Sequence, residues 1–209
     1  MILVGQYDSP YTRRVAVSLG LLGFPFEHDA RSVFADFDSM RTTNPLGRVP
    51  SLVLPDGTTL IDSAAILDWL DQQVGVERAL LPPGGPARQQ ALQRMALATG
   101  TIDKVMAAAY ERLIRPGAYR WPDWIKRCRT QAEGGLAALA ALRWPGDASL
   151  GQAWITTACM VGYVRLADPD LLPPGRYPSL DAVSERCEAL PAFQAAYPAE
   201  YFVPTAEPL

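Results

Sequence analysis

The spacing of apolar residues changes partway along this chain, and the change divides it. Ile2-Leu3-Val4 is a short unbroken apolar run ended by Gly5, the pattern of a buried strand. Ser9-Pro10 follows as an N-cap and first-turn pair. Val15, Ala16, Leu19 and Leu22 then recur on one helical face as far as Gly23. Residues 24–29 read as a second strand, and Arg31 to Thr43 as a polar stretch, irregular or helical. Ser51–Leu54 and Thr59–Ile61 are strands joined by Pro55-Asp56-Gly57-Thr58, a hairpin turn by composition. Asp62-Ser63 caps a helix whose inward face is Ile66, Leu67, Leu70 and Val74. A right-handed crossover makes the first two strands parallel, and the hairpin adds antiparallel strands.

Beyond this point strand signals vanish. Leu81-Pro82-Pro83-Gly84-Gly85-Pro86 cannot continue a helix and marks a boundary. Ala87 to Leu113 is helical in period, with Leu92, Met95, Ala96, Thr99, Ile102, Val105 and Met106 expected inward. Arg115-Pro116-Gly117 breaks it. Trp124 to Leu142 resumes, the almost wholly apolar Gln152 to Leu166 reads as a central helix, and Tyr177-Pro178-Ser179 starts another that Pro191 interrupts. The expected fold class is α/β followed by all-α: an N-terminal unit over 1–80, a linker over 81–86 and an all-helical unit over 87–209.

Composition narrows the function. The chain has 209 residues, of which 49% are hydrophobic and 20% charged, enough apolar material for a sizeable core. A net charge of −3 leaves no basic surplus for nucleic acid. Cys128, Cys159 and Cys187 are odd in number and widely spaced, which suits a reducing compartment better than a disulfide framework or a metal site. The first seven residues lack the basic and long apolar regions of a signal peptide, and no window has the ~18 unbroken apolar residues of a membrane span. A cytoplasmic, soluble protein is expected.

The densest motif is Asn44-Pro45-Leu46-Gly47-Arg48-Val49-Pro50, immediately before an apolar strand. An X–Pro bond accepts the cis form at about 0.5–1 kcal/mol. A cis bond here would aim the free backbone groups of Val49 into a cleft, suited to gripping a peptide by its main chain; sequence leaves the isomer open. Together with Ser9-Pro10-Tyr11-Thr12-Arg13-Arg14-Val15, Asp62-Ser63, the central Ala158-Cys159-Met160-Val161-Gly162-Tyr163 and the closing Leu190-Pro191-Ala192-Phe193, this motif resembles the cytosolic glutathione transferases. Ser-Pro-aromatic after the first strand resembles their serine-using, bacterial-type branch. The resemblance implies a thioredoxin-like first domain that binds glutathione and a helical domain that completes the site for an electrophile. It also implies a homodimer acting in detoxification.

That resemblance assigns roles. Ser9 is the candidate activator of the glutathione thiol; the alternative is a plain helix cap. Tyr7 and Tyr11 are its rivals, with Tyr7 read as packing or a site wall and Tyr11 as lining the cleft. Arg48, Val49, Pro50, Asp62 and Ser63 are the candidate glutathione-binding residues. Val49 would hold the cysteinyl backbone, Asp62 the γ-glutamyl ammonium, Ser63 its carboxylate and Arg48 the glycyl carboxylate. Asp103 stands where some relatives offer an acid across a dimer. Tyr11, Tyr110, Arg112, Arg115 and Trp121 are candidate walls for a small hydrophobic electrophile, while Trp124, Trp144 and Trp154 read mainly as core. His28 reads as structural. No metal and no tightly bound cofactor are expected, with glutathione as co-substrate. The rival readings are a non-catalytic ligand- or protein-binding module, and a glutathione-dependent peroxidase, isomerase or dehalogenase. One departure stands out: the family's central helix opens with Ser/Thr-x-x-Asp, whereas Gly151-Gln152-Ala153-Trp154 stands here, with Ser149 a possible cap one turn earlier.

Overall fold

Four short strands and three helices build the first part of the molecule, in a computed structural model that describes residues 1–146 and 149–198. Strand β1 (Ile2–Val4) leads into α1 (Pro10–Leu22) and β2 (Glu27–Asp29); α2 (Phe37–Thr43) then precedes β3 (Ser51–Val53), β4 (Thr59–Ile61) and α3 (Ser63–Val74). The sheet order is β2-β1-β3-β4. β1 runs parallel to β2, pairing Leu3 with His28, and antiparallel to β3, pairing Leu3 with Leu52. β3 and β4 form the expected hairpin. This is a thioredoxin-like sheet, with α1 and α3 packed together against it through Val15, Leu19, Ile66 and Leu70.

The rest of the described chain is helical: α4 (Gly85–Leu113), α5 (Pro122–Ala140), α6 (Gln152–Ala167), α7 (Pro178–Glu188) and α8 (Pro191–Ala195). Residues 199–209, the end of the expected helical unit, lie outside the described residues. Helix α6 belongs to two cores at once. Its Trp154, Ile155, Ala158 and Cys159 join the sheet and α1, while its Met160, Val161 and Val164 join α4 and α5. A helix apolar on all sides must be covered on all sides, and this one fixes the sheet against the bundle. Burial pushes the Cys159 and Cys187 thiols up to about 12. No helix among the described residues is long and apolar enough to cross a membrane.

The polar stretch after β2, left open as irregular or helical, contains a seven-residue helix, α2, which buries only Met40. Two expectations change. Strand β2 is three residues long rather than six, because Phe24 and Phe26 pack into the core without pairing. In α4 the inward face keeps Ile102 and Val105 as expected but differs at its other positions. Ala98, Thr101, Ile102, Val105, Ala108 and Ala109 are buried, whereas Leu92 is 43% exposed and Ala96 faces out. Small side chains let α5 approach closely, and a Cβ on Gly135 would meet Thr101 Oγ1 at 2.1 Å.

The unusual start of α6 has a cause. Gly151 is its N-cap and no side chain caps it; Ser149 lies outside the helix. The Gln152 amide donates instead to Leu80 O at 2.8 Å, and the Gln152 side chain donates to Ser18 Oγ at 2.8 Å. A Cβ on Gly151 would stand 2.6 Å from that same Leu80 oxygen. Serine, ordinarily a favourable N-cap, should therefore be harmful here. Gly151→Ser is expected to lower stability by about 1–3 kcal/mol through overpacking. Urea unfolding that instead showed the roughly 1 kcal/mol gain of a new cap would contradict the packing account.

Candidate functional site

The end of β1, the start of α1 and the turn before β3 converge on one point. Gly5 has φ +127° and accepts no side chain, since a Cβ there would lie 2.7 Å from both Thr12 Oγ1 and Val49 Cβ. Its carbonyl is held by His28 Nε2 at 2.8 Å, and the His28 ring stacks on Tyr7 with centroids 3.9 Å apart. His28 is thus a strut of the sheet. Tyr7, engaged in that stack and partly buried in the core, lines neither of the two cavities described below.

Ser9 caps α1, its Oγ accepting from the Thr12 amide at 3.3 Å. A hydroxyl has one proton and two lone pairs, so this bond leaves the proton free to point elsewhere. Ser9 lines a cavity of about 290 Å³ with Tyr11, Arg48, Val49, Phe34, Met106, Tyr110 and Tyr163 among its walls. Phe34, from the segment between β2 and α2, meets Tyr110 of α4 edge to face at 5.7 Å, so one ring from each half of the molecule closes the wall.

A second cavity of about 270 Å³ adjoins the first and shares Tyr11, Arg48 and Val49 with it. Its other walls include Pro50, Asp62, Ser63, Asp103 and Arg14. The Val49-Pro50 bond is cis. The turn before it is held by Asn44, whose Nδ2 donates to Arg48 O at 2.7 Å and whose Oδ1 accepts from the Leu46 amide at 3.0 Å. Asp62 has φ +67°, which is rare outside glycine, and its Oδ1 accepts from the Ala64 amide at the head of α3. Backbone held in such a region costs of order 1–3 kcal/mol and concentrates at ligand sites. The head of α3 and the Ser63 hydroxyl suit an anion, and the Asp62 carboxylate suits a cation.

Tyr11 stands between the two cavities. Its phenol donates to Asp103 Oδ1, with Thr99 O at 3.3 Å. Burial and then that carboxylate push the phenol well above the ordinary tyrosine range, so Tyr11 stays protonated at working pH. Asp103, which stands where some relatives offer an acid across a dimer, lines the second cavity of its own chain.

Three expected electrophile-pocket residues lie elsewhere. Arg112 bonds to Ala167 O at 2.7 Å and Asp168 Oδ2 at 3.4 Å, and Arg115 to Glu111 Oε2 at 2.8 Å. Two residues past Tyr110 is about 200° round a helix, which turns Arg112 away from the cleft. Trp121 is 60% exposed and stacks on Trp124 after the chain has left α4, so it is neither core nor cavity wall. Tyr11 and Tyr110 do line the first cavity, joined there by Tyr163 of the central-helix motif and by Phe34, which carried no sequence signal. Among the described residues no cluster of His, Cys, Asp and Glu could hold a metal ion.

Residues 3–79 match the N-terminal domain family of glutathione S-transferases. The uncharacterized GST-like protein YibF of Escherichia coli is 30% identical over 168 residues, covering 79% of this chain and 82% of its own. A solved glutathione S-transferase of Methylobacterium radiotolerans, in complex with glutathione sulfonate, superposes with a TM-score of 0.90 at 31% identity over 98% of both chains. The maleylacetoacetate isomerase of Pseudomonas aeruginosa is 28% identical, covering 95% of this chain and 96% of its own.

Proposed function

The chain belongs to the glutathione S-transferase family, and from that premise we propose that it binds glutathione along the two joined cavities and conjugates its thiolate to a small hydrophobic electrophile. The observation that carries this reading is the order of the walls. Ser9 stands in one cavity, Asp62 and Ser63 in the other, and Val49 in both. That sequence suits a thiol, a peptide backbone and an α-amino acid end, laid along one cleft. Val49 exchanges backbone hydrogen bonds with the cysteinyl unit, Arg48 meets the glycyl carboxylate, Asp62 takes the ammonium and Ser63 the γ-glutamyl carboxylate. Pro50 shapes the turn that presents Val49.

Ser9 then acts as in the serine-using branch. A free thiol titrates near 8.5, so little of it is thiolate at neutral pH. Lowering that value by about two units requires about 2.7 kcal/mol. One hydrogen bond to a charged sulfur is worth roughly 1.5–3 kcal/mol and the head of α1 adds about 0.3–1. Tyr11 is a poor alternative because its proton is committed to Asp103. In this reading residues 1–80 form the glutathione-binding domain, 81–86 the linker and 87–209 the helical domain. The active form is a cytoplasmic homodimer serving detoxification.

The full-length kinship with a maleylacetoacetate isomerase supports a second reading, in which glutathione adds to a conjugated acid and is released again. Counting glutathione separates the two, since conjugation consumes it and isomerisation does not. For either chemistry Ser9→Ala is expected to return the bound thiol, followed by thiolate absorbance, toward its ordinary pKa. Loss of one charged hydrogen bond converts to a fall of roughly 10–150-fold in kcat/KM. Unchanged titration and turnover would remove Ser9 from the mechanism.

A further inference from the structure

One surface of this protein has no part in the site described above, although it begins one residue beyond it. Tyr110 lines the first cavity, and Glu111, the next residue of α4, is buried at 7% exposure. The Glu111 carboxylate anchors the chain that follows: Oε1 accepts from the Trp121 amide at 2.9 Å and Oε2 from Arg115 Nε at 2.8 Å. Arg120 Nε donates back to Arg115 O at 2.9 Å, and the Tyr119 amide to Pro116 O at 2.9 Å. A buried carboxylate needs such partners. Their result here is a connection between α4 and α5 with a definite shape, which holds two large aromatic rings in water. Tyr119 is 70% exposed and Trp121 60%, with the Trp121 ring stacked on Trp124 at 6.3 Å between centroids.

The charge around those rings is one-sided. Residues 111–129 carry six arginine or lysine side chains and two carboxylates. Arg112 and Arg129 are taken up by Asp168, and Arg115 by Glu111. Arg120, Lys126 and Arg127 are exposed and have no carboxylate in ion-pair reach among the described residues; Asp123 is the one exposed acid in the stretch. A chain of net charge −3 thus gathers surplus positive charge where it also exposes Tyr and Trp. Amphipathic rings settle between lipid head groups and acyl chains, and arginine and lysine beside them meet anionic head groups. We propose that this turn, residues 115–127, docks the protein reversibly on anionic lipid bilayers. Contact is peripheral, since no helix among the described residues is long and apolar enough to cross a membrane. An acidic protein segment would match the cations alone, whereas a bilayer matches the cations and the rings together. The turn leaves α4 next to Tyr110, so docking carries the first cavity toward a phase in which apolar molecules collect. The proposal stands on the turn and does not need the glutathione reading.

The test is co-sedimentation of the full chain with two kinds of vesicle, phosphatidylcholine alone and an equal mixture of phosphatidylcholine and phosphatidylglycerol. The mixed vesicles should bind the protein, and the neutral ones at least about tenfold more weakly. Salt at about 1 M, where the Debye length is about 3 Å, should release most of the bound protein. Arg120→Gln combined with Arg127→Gln should weaken partitioning to mixed vesicles by roughly 25-fold, about fivefold for each basic residue near the surface. Trp121→Ser should weaken it by about tenfold, the low end of what burying a large apolar side chain is worth. Trp121 is the N-cap of α5, a position serine suits, so this variant keeps its fold. Thermal midpoints of all variants should stay within about 2 °C of the unaltered protein, so that lost binding is not lost folding. Equal binding to both vesicles, binding that Trp121→Ser leaves unchanged, or binding to neither would overturn the proposal. Retention on immobilised polyglutamate without binding to the mixed vesicles would assign the turn to an acidic protein partner and overturn it likewise.

Discussion

Removing the Glu188 carboxylate should markedly destabilise the fold. Glu188→Ala is expected to lower the unfolding free energy by about 3 kcal/mol, the lower end of what breaking a buried pair costs. For 209 residues that converts to a drop of roughly 6–12 °C in Tm. The lower end applies because Glu188 is 28% exposed while Arg13 is 3% exposed. The two form a bidentate pair at 2.8 and 2.7 Å. Arg13 also donates through Nε to Ala196 O at 3.0 Å, and the Phe193 ring lies 5.3 Å from its guanidinium. One side chain from the first helix thereby ties down α7 and α8.

The pair is asymmetric, and the asymmetry provides the check. Without Glu188 the Arg13 charge stays buried beside two backbone carbonyls and an aromatic face, which only partly balance it. Without Arg13 the Glu188 carboxylate can turn to water. Arg13→Met, which refills most of the volume, should therefore cost less than Glu188→Ala. The double variant Arg13→Met with Glu188→Ala should lose less than the sum of the two, with a coupling of about 1–3 kcal/mol in chemical denaturation. Strict additivity would show that the pair is too well hydrated to matter.

Local rules were legible in the sequence, and long-range ones were not. Ser9-Pro10 announced α1 because N-cap and first-turn preferences act within one turn, and the observed cap sits there. Pro55-Asp56-Gly57 announced the β3–β4 hairpin for the same reason. Alanine in α4 carries little periodic contrast, so Ala98, Ala108 and Ala109 could not outvote Leu92, although close packing by α5 and α6 buried the alanines. In the candidate site the residues contributed by turns and helix heads were visible: Ser9, Val49, Asp62 and Ser63. Arg14 was not. Its place there rests on bonds to Ser63 and Thr156, which lie 49 and 142 positions away, and a lone arginine in a helix gives no hint of that. Phe34 was hidden likewise, since its partner Tyr110 comes from the other half of the chain.

The most consequential of the legible residues is Asn44, and its replacement should separate binding from chemistry. Asn44 is 2% exposed and supports the turn that presents Val49 from both sides. Its Nδ2 holds Arg48 O, its Oδ1 holds the Leu46 amide, and its own carbonyl accepts from Gly47 at 2.8 Å. Gly47 has φ +60° and lies over the Phe37 ring, which a Cβ there would meet at 2.5 Å, so the turn cannot relax by shifting that way. Asn44→Ala leaves two backbone groups without their partner, at about 1–3 kcal/mol each where water cannot replace it. A displacement of even 1 Å at a positioned group can cost about a hundredfold. The expected outcome is a rise in KM for glutathione of roughly 10–100-fold, the larger figure being that positional limit, with kcat changed far less. Ser9 itself is placed by the head of α1, where its Oγ accepts from the Thr12 amide, and not by the Asn44 turn. Asn44→Asp sharpens the test, because it keeps the bond from Leu46 and turns a carboxylate oxygen on the Arg48 carbonyl. Repulsion at that one contact should make Asn44→Asp at least as harmful to glutathione binding as Asn44→Ala. If Asn44→Asp bound glutathione like the unaltered protein, the Arg48 bond would not be what holds Val49 in place.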